Sequence, residues 1–279
     1  MPTVVHENNF ETKNVTFTTP VKKNDRLKSY MLYGGEMMLI ETPWLKMPWG
    51  PSAPYKDVDS TTKPWELSLQ EVGRTDYKTI EEIEHQQVLV TNWFESWRKL
   101  YDMFIQFGIV NSKIIYGTQY EPSQADVVKV LTKPFVRDSD EYPSRIRTKI
   151  YNRDGVPDVH VYQGSTESLS ITSFAKLSEL MTRGSFGKFI LIPGIWFVGG
   201  KMGLSLSVKQ ALLMESSSQV NVNQFAFQGV TFTGASTSKT DDKGSSSNVD
   251  DDDVDDKSDD GSEDESDDDS DDSDEVHEK

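Results

Sequence analysis

Lys188-Phe189-Ile190-Leu191-Ile192-Pro193-Gly194-Ile195-Trp196-Phe197-Val198, then Gly199-Gly200, then Lys201-Met202-Gly203-Leu204-Ser205-Leu206-Ser207-Val208, decides the fold class. Two apolar runs joined by a diglycine predict a β-hairpin, Lys188 to Val198 and Lys201 to Met214, closed by a tight turn. The stretch superficially resembles a phosphate-binding loop, but the register is wrong. Gly200-Lys201 would need glycine at position 195 and Ser or Thr at 202, where Ile195 and Met202 stand. The apolar run Phe189 to Val198 is about half the length that spans a bilayer and contains Pro193 and Gly194, so it predicts no membrane segment.

Working outward, the body reads mostly as β. Val15 to Thr19 predicts a first strand, and Ser29 to Tyr33 with Met37 to Glu41 predict a hairpin around Gly34-Gly35. Pro43, Pro48, Gly50, Pro51 and Pro54 make a rigid loop rich in aromatics, including Tyr55 next to Lys56. Trp65 to Val72 alternates with period two, the mark of a half-buried strand. Further strands are expected over Asp126 to Arg137, Arg145 to Asn152, Val159 to Gln163 and Phe225 to Phe232, with a short helix over Ser173 to Thr182. One long helix interrupts them. Thr79 and Glu82 have capping-box spacing. Ile83, Val90, Trp93, Phe94, Trp97, Leu100, Tyr101 and Phe104 follow on one face, Glu84, Glu95, Arg98, Lys99 and Asp102 on the other, and Gly108 offers a stop. The fold class is mainly β with one long helix, α+β.

The formal charge of −17 over 279 residues is segregated. Residues 241–279 hold 21 acids against 3 bases, which leaves 25 acids and 26 bases for residues 1–240. A near-neutral domain over 1–233 is therefore expected, followed by an Asp/Glu/Ser tail over 234–279. That tail has almost no apolar side chains to offset the entropy of ordering and is expected to be disordered.

There is no cysteine, so disulfides, thiol nucleophiles and Cys-based metal sites are excluded. His6, His85, His160 and His277 are scattered, without ligand spacing. No nucleophile elbow or dinucleotide fingerprint occurs. Met1 to Glu7 carries no basic-then-apolar signal pattern. No catalytic residue, metal or cofactor is expected, and the chain reads as a soluble intracellular protein.

What remains is a pattern of cations interleaved with aromatics, which suits single-stranded nucleic acid: aromatic rings stack on exposed base faces while Lys and Arg follow phosphates. One such stretch holds Lys129, Lys133, Phe135, Arg137, Tyr142, Arg145, Arg147, Lys149, Tyr151 and Arg153. In it Arg145, Arg147 and Lys149 are spaced by two, so a strand puts all three on one face. The second is Trp44, Lys46, Trp49, Tyr55 and Lys56 in the proline-rich loop. A tethered polyanion adds to this reading, because it can cover a basic groove until real phosphates displace it. An acidic-tailed histone chaperone or assembly factor, whose body lacks affinity for DNA, is the alternative.

Thr42-Pro43-Trp44-Leu45-Lys46-Met47-Pro48-Trp49-Gly50, Lys133-Pro134-Phe135-Val136-Arg137 through Tyr142-Pro143-Ser144-Arg145-Ile146-Arg147-Thr148-Lys149, and Ile195 to Leu206 carry a resemblance. In that order, with an acidic tail after them, they resemble the OB-fold single-stranded-DNA-binding proteins of large nucleocytoplasmic DNA viruses, related to those of short-tailed phages. The resemblance implies a five-stranded OB barrel elaborated by the long helix, and sequence-tolerant, non-enzymatic binding of single-stranded DNA in replication, recombination or repair. It also implies a tail that recruits replication proteins, and work at the site of viral DNA replication in host cytoplasm or nucleus. The phosphate set becomes Lys46, Lys129, Lys133, Arg137, Arg145, Arg147, Lys149 and Lys201. The stacking set becomes Trp44, Trp49, Tyr142 and Trp196, with Trp196 open also to burial in the barrel. The oligomeric state, a homodimer included, stays open.

Overall fold

The computed structural model describes residues 3–53 and 63–214. The expected strand Phe225 to Phe232, the acidic tail, and Tyr55 and Lys56 lie outside the described residues.

The deciding hairpin is present. In chain order the strands are β1 (Thr3–Val5), β2 (Val15–Phe17), β3 (Val21–Lys23), β4 (Arg26–Lys28), β5 (Met31–Tyr33), β6 (Glu36–Glu41), β7 (Leu45–Lys46), β8 (Trp65–Gln70), β9 (Val136–Arg137), β10 (Arg145–Ile150), β11 (Asn152–Arg153), β12 (Val156–Pro157), β13 (His160–Gln163), β14 (Phe186–Val198) and β15 (Lys201–Leu213). The helices are α1 (Ile80–Val110), α2 (Ser112–Tyr116), α3 (Ala125–Val130) and α4 (Phe174–Leu180). β14 and β15 pair antiparallel from Gly187↔Leu213 to Val198↔Lys201. Gly199 and Gly200 turn between them at φ +56° and +68°, backbone that residues with a Cβ enter only at a cost.

Eleven strands form one large sheet. Within it the pairings make a circuit. β15 runs parallel to β10, β10 antiparallel to β8, β8 to β7, β7 to β14, and β14 back to β15. β6 pairs with β14 and carries β5, β2 and β1, while β13 lies along β15. Alternation sorts side chains across this sheet. On β10, Ile146, Thr148 and Ile150 are buried, and opposite them on β8 so are Leu67 and Leu69. The Thr148 hydroxyl donates to the Leu67 carbonyl at 2.9 Å, which settles its polar atom inside the core.

α1 covers the core. Its capping box is formed as the spacing predicts, with Thr79 Oγ1 accepting from the Glu82 amide and Glu82 Oε2 accepting from the Thr79 amide. Trp93, Phe94, Trp97, Leu100 and Phe104 are all buried in one hydrophobic cluster with the inner faces of the sheet.

Two expectations are corrected. Gly108 does not stop α1, which runs on to Val110. It is buried in the last turn of the helix, where a Cβ would lie 2.4 Å from Met202 Cε and 2.9 Å from Val128 Cγ1. The glycine lets the helix approach β15 and α3. The strand expected over Asp126 to Arg137 is instead α3 followed by the two-residue β9. Pro122 sits at the start of a 3-10 turn whose Glu121 and Gln124 form a capping box, and this turn feeds α3. Of its three valines, Val128 is buried while Val127 and Val130 are exposed. The single buried position is satisfied by a helix against α1, so packing overrides β-branched propensity.

Candidate nucleic-acid interface

The outward face of β10 and its neighbours collects the cations. Arg145, Arg147 and Lys149 project opposite to buried Ile146, Thr148 and Ile150, as their spacing predicts. Arg145 pairs with Gln70 on β8 and with Arg137 on β9, and Gln70 pairs with Lys46 on β7. Directly opposed residues of antiparallel strands share a face, so Lys46, Gln70, Arg145 and Arg137 form a row across four strands.

Lys133 and Arg137 flank two buried residues, Phe135 and Val136. Phe135 is buried, edge-on to Trp97 and Tyr101 and 5.3 Å from the Phe104 ring. Val136 is buried opposite Ile146, so alternation turns Arg137 outward beside Arg145, and Lys133 is exposed. The hairpin tip then docks on this segment, the Met202 amide donating to the Leu131 carbonyl at 3.0 Å and the Lys133 amide to the Met202 carbonyl at 2.9 Å.

Three adjoining cavities follow. One of about 370 Å³ lies between Trp49, Tyr142, Pro143 and Arg145. A larger one of about 840 Å³ is bounded by Tyr101, Lys129, Lys133, Arg137 and Arg145. A third of about 460 Å³ holds Lys133, Arg137, Arg147, Lys149, Tyr151 and Trp196. Arg137 lines all three and Lys133 two, so they form one groove. Aromatic rings stand at both ends. Trp49 is 45% exposed beneath the Arg145 guanidinium, 5.1 Å from ring centroid to Cζ, and Tyr142 is 67% exposed. Trp196 is half-buried on the outward face, laid over Gly203, where a Cβ would come within 2.3 Å of the indole. Of its two open placements, the structure takes the groove.

The electrostatics are those of an uncompensated cluster. Arg147 pairs with Glu66 at 3.3 Å, whereas Lys133, Arg137, Arg145 and Lys149 make no ion pair among the described residues. Burial first, then the positive charges of Arg137 and Arg147, holds the Lys133 ammonium below its ordinary pKa of 10.5. Burial and then Arg147 and Arg145 likewise lower Arg137. Arg98, at the groove's helix side, is different: Glu71, Glu95 and Asp138 engage it, and Glu71 and then Asp138 raise its pKa. A cation cluster that resists its own protonation gains most from an incoming anion.

Three expected residues stand apart. Trp44 lies under the Arg74 guanidinium, 5.3 Å from its ring centroid, with Tyr77 on the same arginine, and lines none of the three cavities. Lys46 joins the four-strand row without lining a cavity, and Lys201 is exposed at the hairpin tip. Lys129 borders the groove from α3, not from a strand. Sequence reading missed Glu66 and Gly203. Glu66 belongs to the legible polar face Glu66, Ser68, Gln70, but only the β8–β10 register shows what it faces.

No family model and no curated protein matches the chain. Among solved structures it is similar to the single-stranded DNA-binding protein of bacteriophage Enc34 in complex with ssDNA. The TM-score is 0.37 at 12% identity, over 72% of this chain and 97% of that one. It is also similar to gp2.5, a single-stranded DNA-binding protein encoded by bacteriophage T7, with a TM-score of 0.36 at 12% identity over 65% and 93% of the two chains. At such TM-scores the likeness carries no argument, and the chemistry of the groove must.

Proposed function

We propose that the groove binds single-stranded DNA non-enzymatically and without sequence preference. The observation that supports this most is the convergence of Lys133, Arg137, Arg145, Arg147 and Lys149, of which only Arg147 is ion-paired among the described residues, between exposed aromatics at Trp49 and Tyr142 and the indole of Trp196. Phosphates would lie along the cations, and unpaired bases would stack on the rings. A duplex offers the phosphates but hides the base faces. Lys46, Lys129 and Lys201 would extend the electrostatic footprint, and Trp44 would serve the fold.

The circuit β7–β8–β10–β15–β14 is in this reading the five-stranded Greek-key barrel of an OB fold, with α1 to α3 inserted between β8 and β10. The acidic residues of 234–279 would compete with DNA for the groove and recruit replication partners, as in the OB-fold proteins of large nucleocytoplasmic DNA viruses. The deciding experiment titrates the full chain and residues 1–233 with single- and double-stranded oligonucleotides over a range of salt. About six phosphate contacts give a log–log salt slope of about −4 on single strands, at roughly 0.7 per contact. Equal binding to duplex, or a flat salt response, rules the reading out. Histone binding without DNA binding would return the chaperone.

A further inference from the structure

Three carboxylates line the groove, Glu66, Asp102 and Asp138, and of these Glu66 alone pairs with one of its strand cations. Glu66 stands opposite Lys149 in the β8–β10 register, and its Oε2 accepts from Arg147 Nη1 at 3.3 Å. It lines the same cavity as Lys133, Arg137 and Trp196. Asp138 lines two of the three cavities, but both Arg98 and Ser144 hold its carboxylate at 2.7 Å. Arg147 is the sole side-chain partner of Glu66 among the described residues, and the two side chains are 39% and 43% exposed. An ion pair that open to solvent contributes little to folding. It nevertheless places a negative charge where an incoming phosphate needs a positive one.

We propose that Glu66 is an internal competitor for the DNA phosphate, occupying Arg147 in the empty groove and giving it up as a phosphodiester arrives. The proposal deepens the single-strand reading and rests on it. The pair is weak and screened, so a polymer that engages several cations together displaces the carboxylate readily. An isolated phosphate or free nucleotide, which engages one or two, gains too little to do so. Glu66 thus favours chains of phosphates over the small anions that any cell supplies in excess.

The test is Glu66→Gln in the full chain, titrated with oligothymidylate and with inorganic phosphate as competitor. The amide keeps the shape and removes the charge. Glu66→Ala serves as a second variant, and melting temperatures check that both fold. The expected result is about two- to fivefold tighter binding of the oligonucleotide, the range of an exposed ion pair. The salt slope stays as in wild type, because Arg147 reaches the phosphate in both proteins. Inorganic phosphate inhibits the variant at lower concentration than it inhibits wild type. In an Arg147→Ala background the gain should vanish. Unchanged or weaker binding by Glu66→Gln overturns the competitor, as does a gain that survives in Arg147→Ala. Failure of the wild type to bind at all removes the single-strand reading itself, and the competitor with it.

Discussion

Gly203 shows how much a missing side chain can decide. Its bare Cα is the floor on which the Trp196 indole rests, so Gly203→Ala forces the ring off the sheet. The expected cost is about 1–3 kcal/mol of stability from overpacking, read as a lowered unfolding midpoint, together with weaker oligonucleotide binding at an unchanged salt slope. Trp49→Ala should cost about 1–3 kcal/mol of binding, as one lost base stack does, and leave stability alone. Trp44→Ala should do the reverse, because its ring faces Arg74. Lys133 makes a pH prediction. Its ammonium is held below 10.5 in the free protein, and a bound phosphate would favour the charged form. Affinity should therefore fall as pH rises through that lowered value, starting before an ordinary lysine titrates, and Lys133→Arg should flatten the profile. A profile identical in the two proteins would mean that Lys133 does not face the phosphate.

Among the elements, β10 separates folding from binding most cleanly, since its buried and its cationic residues alternate. Arg145→Ala, Arg147→Ala and Lys149→Ala combined should leave a folded domain, because outward positions typically shift stability by no more than about 0.5 kcal/mol each. Single-strand binding should drop by orders of magnitude and the salt slope should shallow by about 2, at roughly 0.7 per lost contact. A triple variant that folds and binds like wild type would move the site off this strand. α1 carries a second test at the element level. Gly108→Ala would stabilise an isolated helix by about 1 kcal/mol. In this protein it should destabilise by about 1–3 kcal/mol, because the methyl group meets Val128 and Met202.

For the whole molecule the governing quantity is charge. The excess acids lie in residues 241–279, and residues 1–240 are close to neutral, yet the groove gathers their cations on one face. Deleting 234–279 should therefore tighten binding to single strands and raise binding to duplex, with the unfolding midpoint of the remaining body hardly moved. Weaker DNA binding by the truncated protein would contradict a competing role for the tail.

The sequence by itself determined what short-range chemistry controls. The diglycine hairpin, the Thr79–Glu82 capping box, the aromatic stripe of α1 and the alternation that puts Arg145, Arg147 and Lys149 on one face all follow from residue spacing and local hydrogen bonding. The same spacing misread Asp126 to Arg137, because valine-rich segments suit a strand until a partner buries only one of them. Tertiary structure alone decided which elements meet. It set the β8–β10 register that puts Glu66 opposite Lys149 and within reach of Arg147, the β9–β10 pairing that buries Val136 and turns Arg137 outward, and the approach of α1 that makes Gly108 a contact instead of a stop. It also parted Trp44 from Trp49, five residues away, sending one to Arg74 and the other to the groove. The physical reason is that spacing fixes the direction of a side chain relative to its own strand or helix, whereas its neighbours come from long-range packing, which no local pattern encodes.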